Sequence, residues 1–307
     1  MRKHYKHSGV IPAALFFFTL LVITFIPGKK EVCTNLPLLT AFVVIELLYL
    51  YQLFKTKQKN EASRAPSDIV TVVWIIFIIW ELCTTILDIS HPVLLPTPEA
   101  VINVFATSYK VLLLNVAHSM RILFIGFALG LISGVLLGVT VGWIPRLREF
   151  AFPVASVIAP IPPVVLSPYL VSIMPTFRSA SIAVIILGVF WPTFLNMIIR
   201  VNSIDSRIMD SARTLNVTDS TMIFKVILPY VFPGVVSGLR VSMTTSLLML
   251  NFAEMFGATH GMGYYIQNNN VFANYTNLIA GIIVEGIVVT IIIAITTRVQ
   301  RGAVKWK

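Results

Sequence analysis

Cysteine is scarce in this chain: Cys33 and Cys83 are the only two in 307 residues. Lying at different depths, one in a short loop and one within an apolar run, they form neither a disulfide framework nor a metal site. The five histidines are scattered, and His4 and His7 fall in a basic tail. An enzyme would need a cluster of catalytic carboxylates or histidines, or a metal motif, and the sequence holds none. It also lacks a Gly-rich loop ending in Gly-Lys-Ser/Thr, so it has no such cradle for ATP. Charge is the largest shortfall. Only 12% of residues are Asp, Glu, Lys or Arg while 57% are hydrophobic, and mean hydropathy is +0.87. That balance excludes a soluble domain.

What is present is a series of apolar runs. About 20 residues are needed to cross ~30 Å of hydrocarbon. Eight runs approach or reach that length: 10–27, 36–54, 69–87, 122–142, 150–173, 180–199, 230–250 and 277–296. They leave no room for a soluble catalytic domain and predict an all-α polytopic membrane protein. With a cytoplasmic N-terminus, seventeen of the 23 basic residues lie inside. Lys29, Lys30, Lys110, Arg121 and Arg178 then lie outside, and Arg240 falls within a span. The positive-inside rule favours that topology, with both termini cytoplasmic. The net charge of +10 is therefore explained by membrane insertion and needs no nucleic-acid partner. The first run follows Arg2, Lys3 and Lys6 like a signal peptide. No small-residue cleavage site follows it, and a second run begins at once.

Composition shifts at 55–68, KTKQKNEASRAPSD, a charged linker. It predicts two parts: residues 1–65, a two-span hairpin with its linker, and residues 66–307, a six-span body. In the body, Gly126, Gly130, Gly134, Gly138 and Gly142 recur every fourth residue. On a helix they form a groove for close approach of a neighbour, a packing role favoured over substrate contact. The fifth run carries Pro153, Pro160, Pro162, Pro163, Pro168 and Pro175, which forbid a straight helix. Broken backbone at membrane depth must be buried in protein or line a wet cavity. Two readings stay open: a kinked helix packed on its neighbours, or a lining of the translocation path. The second places Ser156, Pro160, Pro162, Pro163, Val164 and Ser167 on the path. Ionisable groups at membrane depth tend to be functional. Arg240 either serves the path or pairs with a carboxylate such as Glu285. Asn251, Glu254 and the glycine turn at 257–263 are the candidates for an outer mouth.

Residues 200–229 form a polar interruption between two spans. Ile204, Ile208, Ala212 and Leu215 can share one helical face, with Asp205 as a candidate N-cap. Asn216 can take the left-handed conformation that ends a helix. Thr218 or Asp219 can cap the next segment, which enters the membrane at Pro229, a tolerated first-turn residue. The product is a helical knob suited to a partner's groove. An interfacial helix on lipid headgroups is the other reading, and it does not account for the spacing to Leu228-Pro229.

Asp210-Ser211-Ala212-Arg213, Leu215-Asn216 and Val226-Ile227-Leu228-Pro229 resemble the cytoplasmic EAA loop of ABC importer permeases. Asp210, Ser211, Asn216 and Val226 replace that pattern's Glu, Ala, Gly and Ile. Further elements resemble the nitrate/sulfonate/taurine permease family, in its order. They are Leu95-Pro96-Thr97-Pro98, Ser119-Met120-Arg121-Ile122 with the glycine row, Pro160-Ile161-Pro162-Pro163, Gly238-Leu239-Arg240, Ala253-Glu254-Met255-Phe256-Gly257-Ala258 and Gly261-Met262-Gly263-Tyr264. Where the family usually has Trp-Phe-Gly, this chain has Ser172-Ile173-Met174-Pro175-Thr176, and the N-terminal hairpin lies outside the six-span core.

The resemblance implies a type I ABC importer permease core of six helices plus the hairpin, about eight spans in a bacterial cell membrane. It implies a homodimer on an ABC ATPase dimer, with ATP and Mg on that partner and no cofactor in this chain. An extracytoplasmic solute-binding protein would deliver a small anion such as a sulfonate, taurine or nitrate. Asp210, Ser211, Ala212, Arg213, Leu215, Asn216 and Pro229 would couple to the ATPase. A vitamin or pyrimidine precursor is an alternative cargo. A channel or secondary transporter would call for inverted repeats that the sequence does not show.

Overall fold

The protein is described by a computed structural model covering residues 10–25, 36–58, 65–87, 89, 91, 93–215 and 217–303. It is 88% helical, with no strand among the described residues. Six helical stretches are long and apolar enough to cross a membrane: Leu36–Phe54, Ala65–Ile86, Tyr109–Trp143, Phe177–Asn202, Asp219–Met255 and Tyr275–Ala303. A bent pair, Pro145–Ile158 with Pro163–Ile173, makes a seventh if it is one span. Of the eight expected runs the first is shorter. Helix α1 (Val10–Phe25) has 16 residues, and its flanks lie outside the described residues.

Contacts gather the chain into two compact units, Met1–Leu112 with Asn268–Ile282 and Leu113–Gln267 with Ile283–Lys307. In the first, α1 and α2 (Leu36–Gln58) pack on α3 (Ala65–Glu81) and α4 (Pro98–Thr107). Trp74 and Phe42 lie at its centre, fully buried, with ring centroids 5.0 Å apart. Phe16 and Phe77 close around them. The two helices of the N-terminal hairpin share an apolar cluster with α3. Thr97 caps α4, accepting from the Ala100 N–H, and Pro98 occupies the first turn, where its missing donor costs nothing.

In the second unit, α5 (Tyr109–Trp143) runs 35 residues, roughly 52 Å at 1.5 Å per residue. It is far longer than the apolar run 122–142, because residues 109–121, which include Lys110, Asn115, His118, Ser119 and Arg121, extend the helix before it. The five glycines meet α8 (Phe177–Asn202) in strict register. A Cβ at Gly126, Gly130, Gly134, Gly138 or Gly142 would lie 2.6–3.0 Å from Cβ of Ile185, Val189, Thr193, Met197 or Val201. Both rows advance four residues at a time, so two i±4 ridges mesh along the whole seam. Ile185, Val189 and neighbours on α5 then form a core with Met243, Leu247 and Leu250 of α11 (Leu228–Met255). The expected packing groove is a continuous seam of this unit.

Between α5 and α8 the proline-rich run forms α6 (Pro145–Ile158), a 3₁₀ turn at Pro163–Leu166 and α7 (Ser167–Ile173). The helices of this pair are bent by 78°. Pro229 stands in the first turn of α11. α10 (Asp219–Thr221) runs into a π-helical turn, Met222–Ile227, and on into α11 without a break. The wider turn places the proline, which has no N–H, just past a stretch of altered hydrogen-bond register.

Candidate functional site

Three places carry the expected site residues, and the first is the loop after α8. Asp205 Oδ1 accepts from the Arg207 N–H at 2.9 Å, starting α9 (Ser206–Thr214) as expected. Thr218 caps α10, accepting from the Thr221 N–H. The apolar face is not the expected one. Ala212 is only 9% exposed and packs with Met222, Ile227, Val139 and Val201, against which Ile204, Met209 and Val217 also lie. Ile208 is exposed, and Leu215 is 77% exposed. The four residues expected on one face therefore split: Ile204 and Ala212 anchor the knob, while Ile208 and Leu215 point away from that anchor. Asp210 and Ser211 are exposed. The Arg213 side chain and all of Asn216 lie outside the described residues. At the base of the knob, the Trp143 indole N–H donates to Asp219 at 3.2 Å.

The second place is the break between α6 and α7. Its prolines do more than bend the chain. Interrupting a helix orphans backbone donors, and Pro160, Pro162 and Pro163 carry none. Of the donors that remain, Ile161 N–H reaches Ile158 O at 3.0 Å, and Val165 N–H reaches Pro162 O at 3.1 Å. Pro160 and Pro162 are exposed, Pro163 is buried, and Ser156 and Val164 are half-buried. Ser156 is turned to its own helix, donating to Phe152 O. Ser167 departs from expectation: it is 1% exposed, so it does not lie on an open side. Its hydroxyl has no hydrogen-bond partner among the described residues.

The third place surrounds Glu254, and its role also differs from expectation. Glu254 is 0% exposed and lines no mouth. The Ser119 hydroxyl lies 2.8 and 2.9 Å from its two carboxylate oxygens, and the Gly263 N–H donates to Oε2 at 2.9 Å. Ser119 Oγ in turn accepts from the Met262 N–H, and Asn115 Oδ1 accepts from the Gly261 N–H, both at 2.8 Å. Two α5 side chains and one α11 carboxylate thus take up three successive N–H groups of the turn entering α12 (Met262–Val271). The carboxyl occupies the space a Cβ at Gly261 would need, and Gly261 has φ +124°, so only glycine fits there. Asn115 and Ser119 were missed as site residues. The available signal was Glu254 followed by two glycines two residues apart, a carboxylate able to receive a tight turn.

Arg240 is exposed. Glu285, its expected carboxylate, instead accepts from the Asn251 amide. Asn251 therefore ties α11 to α13 (Tyr275–Ala303).

Residues 126–305, more than half of the chain, match the family described as the binding-protein-dependent transport system inner membrane component. The chain is 27% identical over 239 residues to the putative aliphatic sulfonates transport permease protein SsuC of Bacillus subtilis, covering 76% of this chain and 85% of that one. It is 24% identical over 259 residues to the taurine transport system permease protein TauC of Escherichia coli, covering 82% and 94%. The nitrate import permease protein NrtB of Synechococcus elongatus is 27% identical over 68% of this chain and 78% of its own. Among solved structures, a chain of the MetNI methionine ABC transporter, in inward-facing conformations, superposes with a TM-score of 0.52 at 21% identity. The match covers 64% of this chain and 96% of that one, and shows a shared fold. This chain is a multi-pass ABC importer permease, and it belongs to the family of binding-protein-dependent transport system inner membrane components.

Proposed function

We propose that this chain is the membrane-spanning half of an importer for a small anion of the sulfonate, taurine or nitrate class. It works as a homodimer in a bacterial cell membrane with both termini cytoplasmic. Two ATPase subunits sit below it, and a solute-binding protein delivers cargo from outside. The observation that carries the reading is the construction of the 200–229 loop. Ala212, Met209 and Ile204 root it in the bundle, while Asp210, Ser211, Ile208 and Leu215 stand exposed. A knob with a rigid root and an exposed apolar-and-charged tip is suited to passing a partner's motion to the spans. The names of SsuC, TauC and NrtB support the anionic cargo. The break at 159–166 supports a path through the second unit, because interrupted backbone suits a cavity wall better than a lipid-facing surface.

A relative named for another cargo keeps a second reading open. The formylaminopyrimidine transport permease protein ThiX of Halalkalibacterium halodurans is 25% identical over 62% of this chain. Uptake of labelled taurine, methanesulfonate, nitrate and formylaminopyrimidine into cells with and without this chain separates the two. Loss of anion uptake on deletion, restored by the full chain and dependent on ATP, is the expected result. Loss of formylaminopyrimidine uptake alone would reassign the cargo. Flux that persists without ATP would indicate a channel.

A further inference from the structure

One hollow in the second unit has a chemistry that its apolar surroundings do not explain. It measures about 310 Å³, and His118, Thr176, Arg178, Ser181 and Thr259 supply its polar lining. Ile122, Pro175, Phe177 and Ala258 complete the wall, and no acidic side chain lines it. His260 lies against His118 with ring centroids 5.6 Å apart. The charges of Arg178 and Arg121 also reach the His118 ring. Two nitrogen-bearing side chains, His118 and Arg178, therefore line one concave site, with His260 beside the first. The Nδ1 atom of His118 is buried and has no hydrogen-bond partner among the described residues. Helix α8 starts at this wall, with Thr176 as its cap, so the positive end of its dipole adds to the field. The neighbouring carboxylate does not neutralise the site by direct contact, because Glu254 is occupied by Ser119 and Gly263.

The deep network explains how these groups are brought together. Ser119 and Asn115 hold the Gly261–Met262 backbone, and His118 and His260 are the adjoining residues on each side. A buried carboxylate is a costly way to fix a turn. Here it fixes the turn that presses one imidazole against another beside a guanidinium. Like-signed groups gather stably where something of opposite sign can sit between them.

We propose that this hollow is an anion-binding site for a small sulfonate or oxyanion, with Arg178 and His118 as its principal ligands and Thr259 as a hydroxyl donor. Arg121 and His260 set the surrounding field. Arg178 offers a planar fork of N–H donors matched to a sulfonate or nitrate face. On the topology proposed above, the site is at the extracytoplasmic end of the spans, where cargo leaves a binding protein. The inference rests on the importer reading for its biological meaning, but its chemistry is testable without transport.

The full chain in lipid nanodiscs, equilibrated by dialysis with ³⁵S-labelled methanesulfonate or inorganic sulfate, should bind the anion saturably. Arg178→Gln should weaken binding by about tenfold, the usual effect of losing a charged hydrogen bond. His118→Gln should weaken it less, and Arg301→Gln, at the far end of α13, should leave it unchanged. Arg178 is exposed, so its replacement leaves the fold intact, and an unchanged melting temperature checks this. Absence of saturable binding, or equal binding by Arg178→Gln, overturns the proposal. So does an Arg178→Gln variant that loses docking of the binding protein while binding methanesulfonate as tightly as the unmodified chain, since the hollow would then receive a protein carboxylate. Normal anion uptake by Arg178→Gln in cells sinks this site while leaving the importer reading intact. Failure of the unmodified chain to support anion uptake removes that reading whatever the dialysis shows.

Discussion

The seam between α5 and α8 and the break between α6 and α7 treat the backbone in opposite ways. Along the seam every fourth residue is glycine, each backbone is fully helical, and a neighbouring Cβ fills each gap. At the break the helix stops, and prolines stand where donors would otherwise be orphaned. The turn after α11 is a third case, in which an amide oxygen, a hydroxyl and a carboxylate each accept one of three successive N–H groups. Apolar surroundings accept irregular backbone only when each polar group is paired or absent. One segment of this unit pairs them and the other removes them.

The contrast is broken most severely at the seam. Gly138→Leu drives a side chain into Met197 and Phe194, where even a Cβ would lie 2.6 Å from its neighbour. A loss of about 3 kcal/mol is expected for such overpacking, read as a lowered melting temperature of the detergent-purified chain. Substitution of the exposed Leu137 should do far less, and equal effects would show that the seam does not set stability. Glu254→Ala comes next. It leaves the Gly263 N–H without its acceptor and should lower stability by about 2 kcal/mol. Faster hydrogen exchange confined to 258–264 is the specific sign, and unchanged protection there would refute the network's role.

The knob gives a smaller and divided effect. Ala212→Asp places a charge among Met222, Ile227 and Val231 and should cost about 2 kcal/mol. Leu215→Asp, on the exposed tip, should stay within about 0.5 kcal/mol and yet reduce co-purification of the ATPase. If both variants behave alike, the division between root and tip is wrong. Pro160→Ala with Pro162→Ala should change stability least. It restores two donors at a break, so the measurable result is slower uptake with the melting point within a few degrees.

Much of this fold was legible because it is written in spacing. The glycines at 126–142 and the prolines at 160–163 announce their geometry through what each residue can and cannot do. Pairing across the chain was less accessible. That α9 buries Met209 and Ala212 and exposes Ile208 depends on which neighbours lie beneath it, and helical spacing alone fits either choice. The role of Glu254 was hidden for the same reason. Its partner Ser119 lies 135 residues away, and membrane depth alone suggested a mouth where the chain builds a clasp. Arg178 and His118 are unremarkable apart, and only the fold places them on one wall.

The four-residue register of α5 on α8 has a mechanical consequence. Neither helix can slide past the other by one, two or three residues without setting a bulky side chain where a glycine was. The next matching position lies four residues on, about 6 Å along the axis. The pair therefore moves as one plank, and motion delivered at the knob reaches the far end of these spans as a tilt rather than a slip.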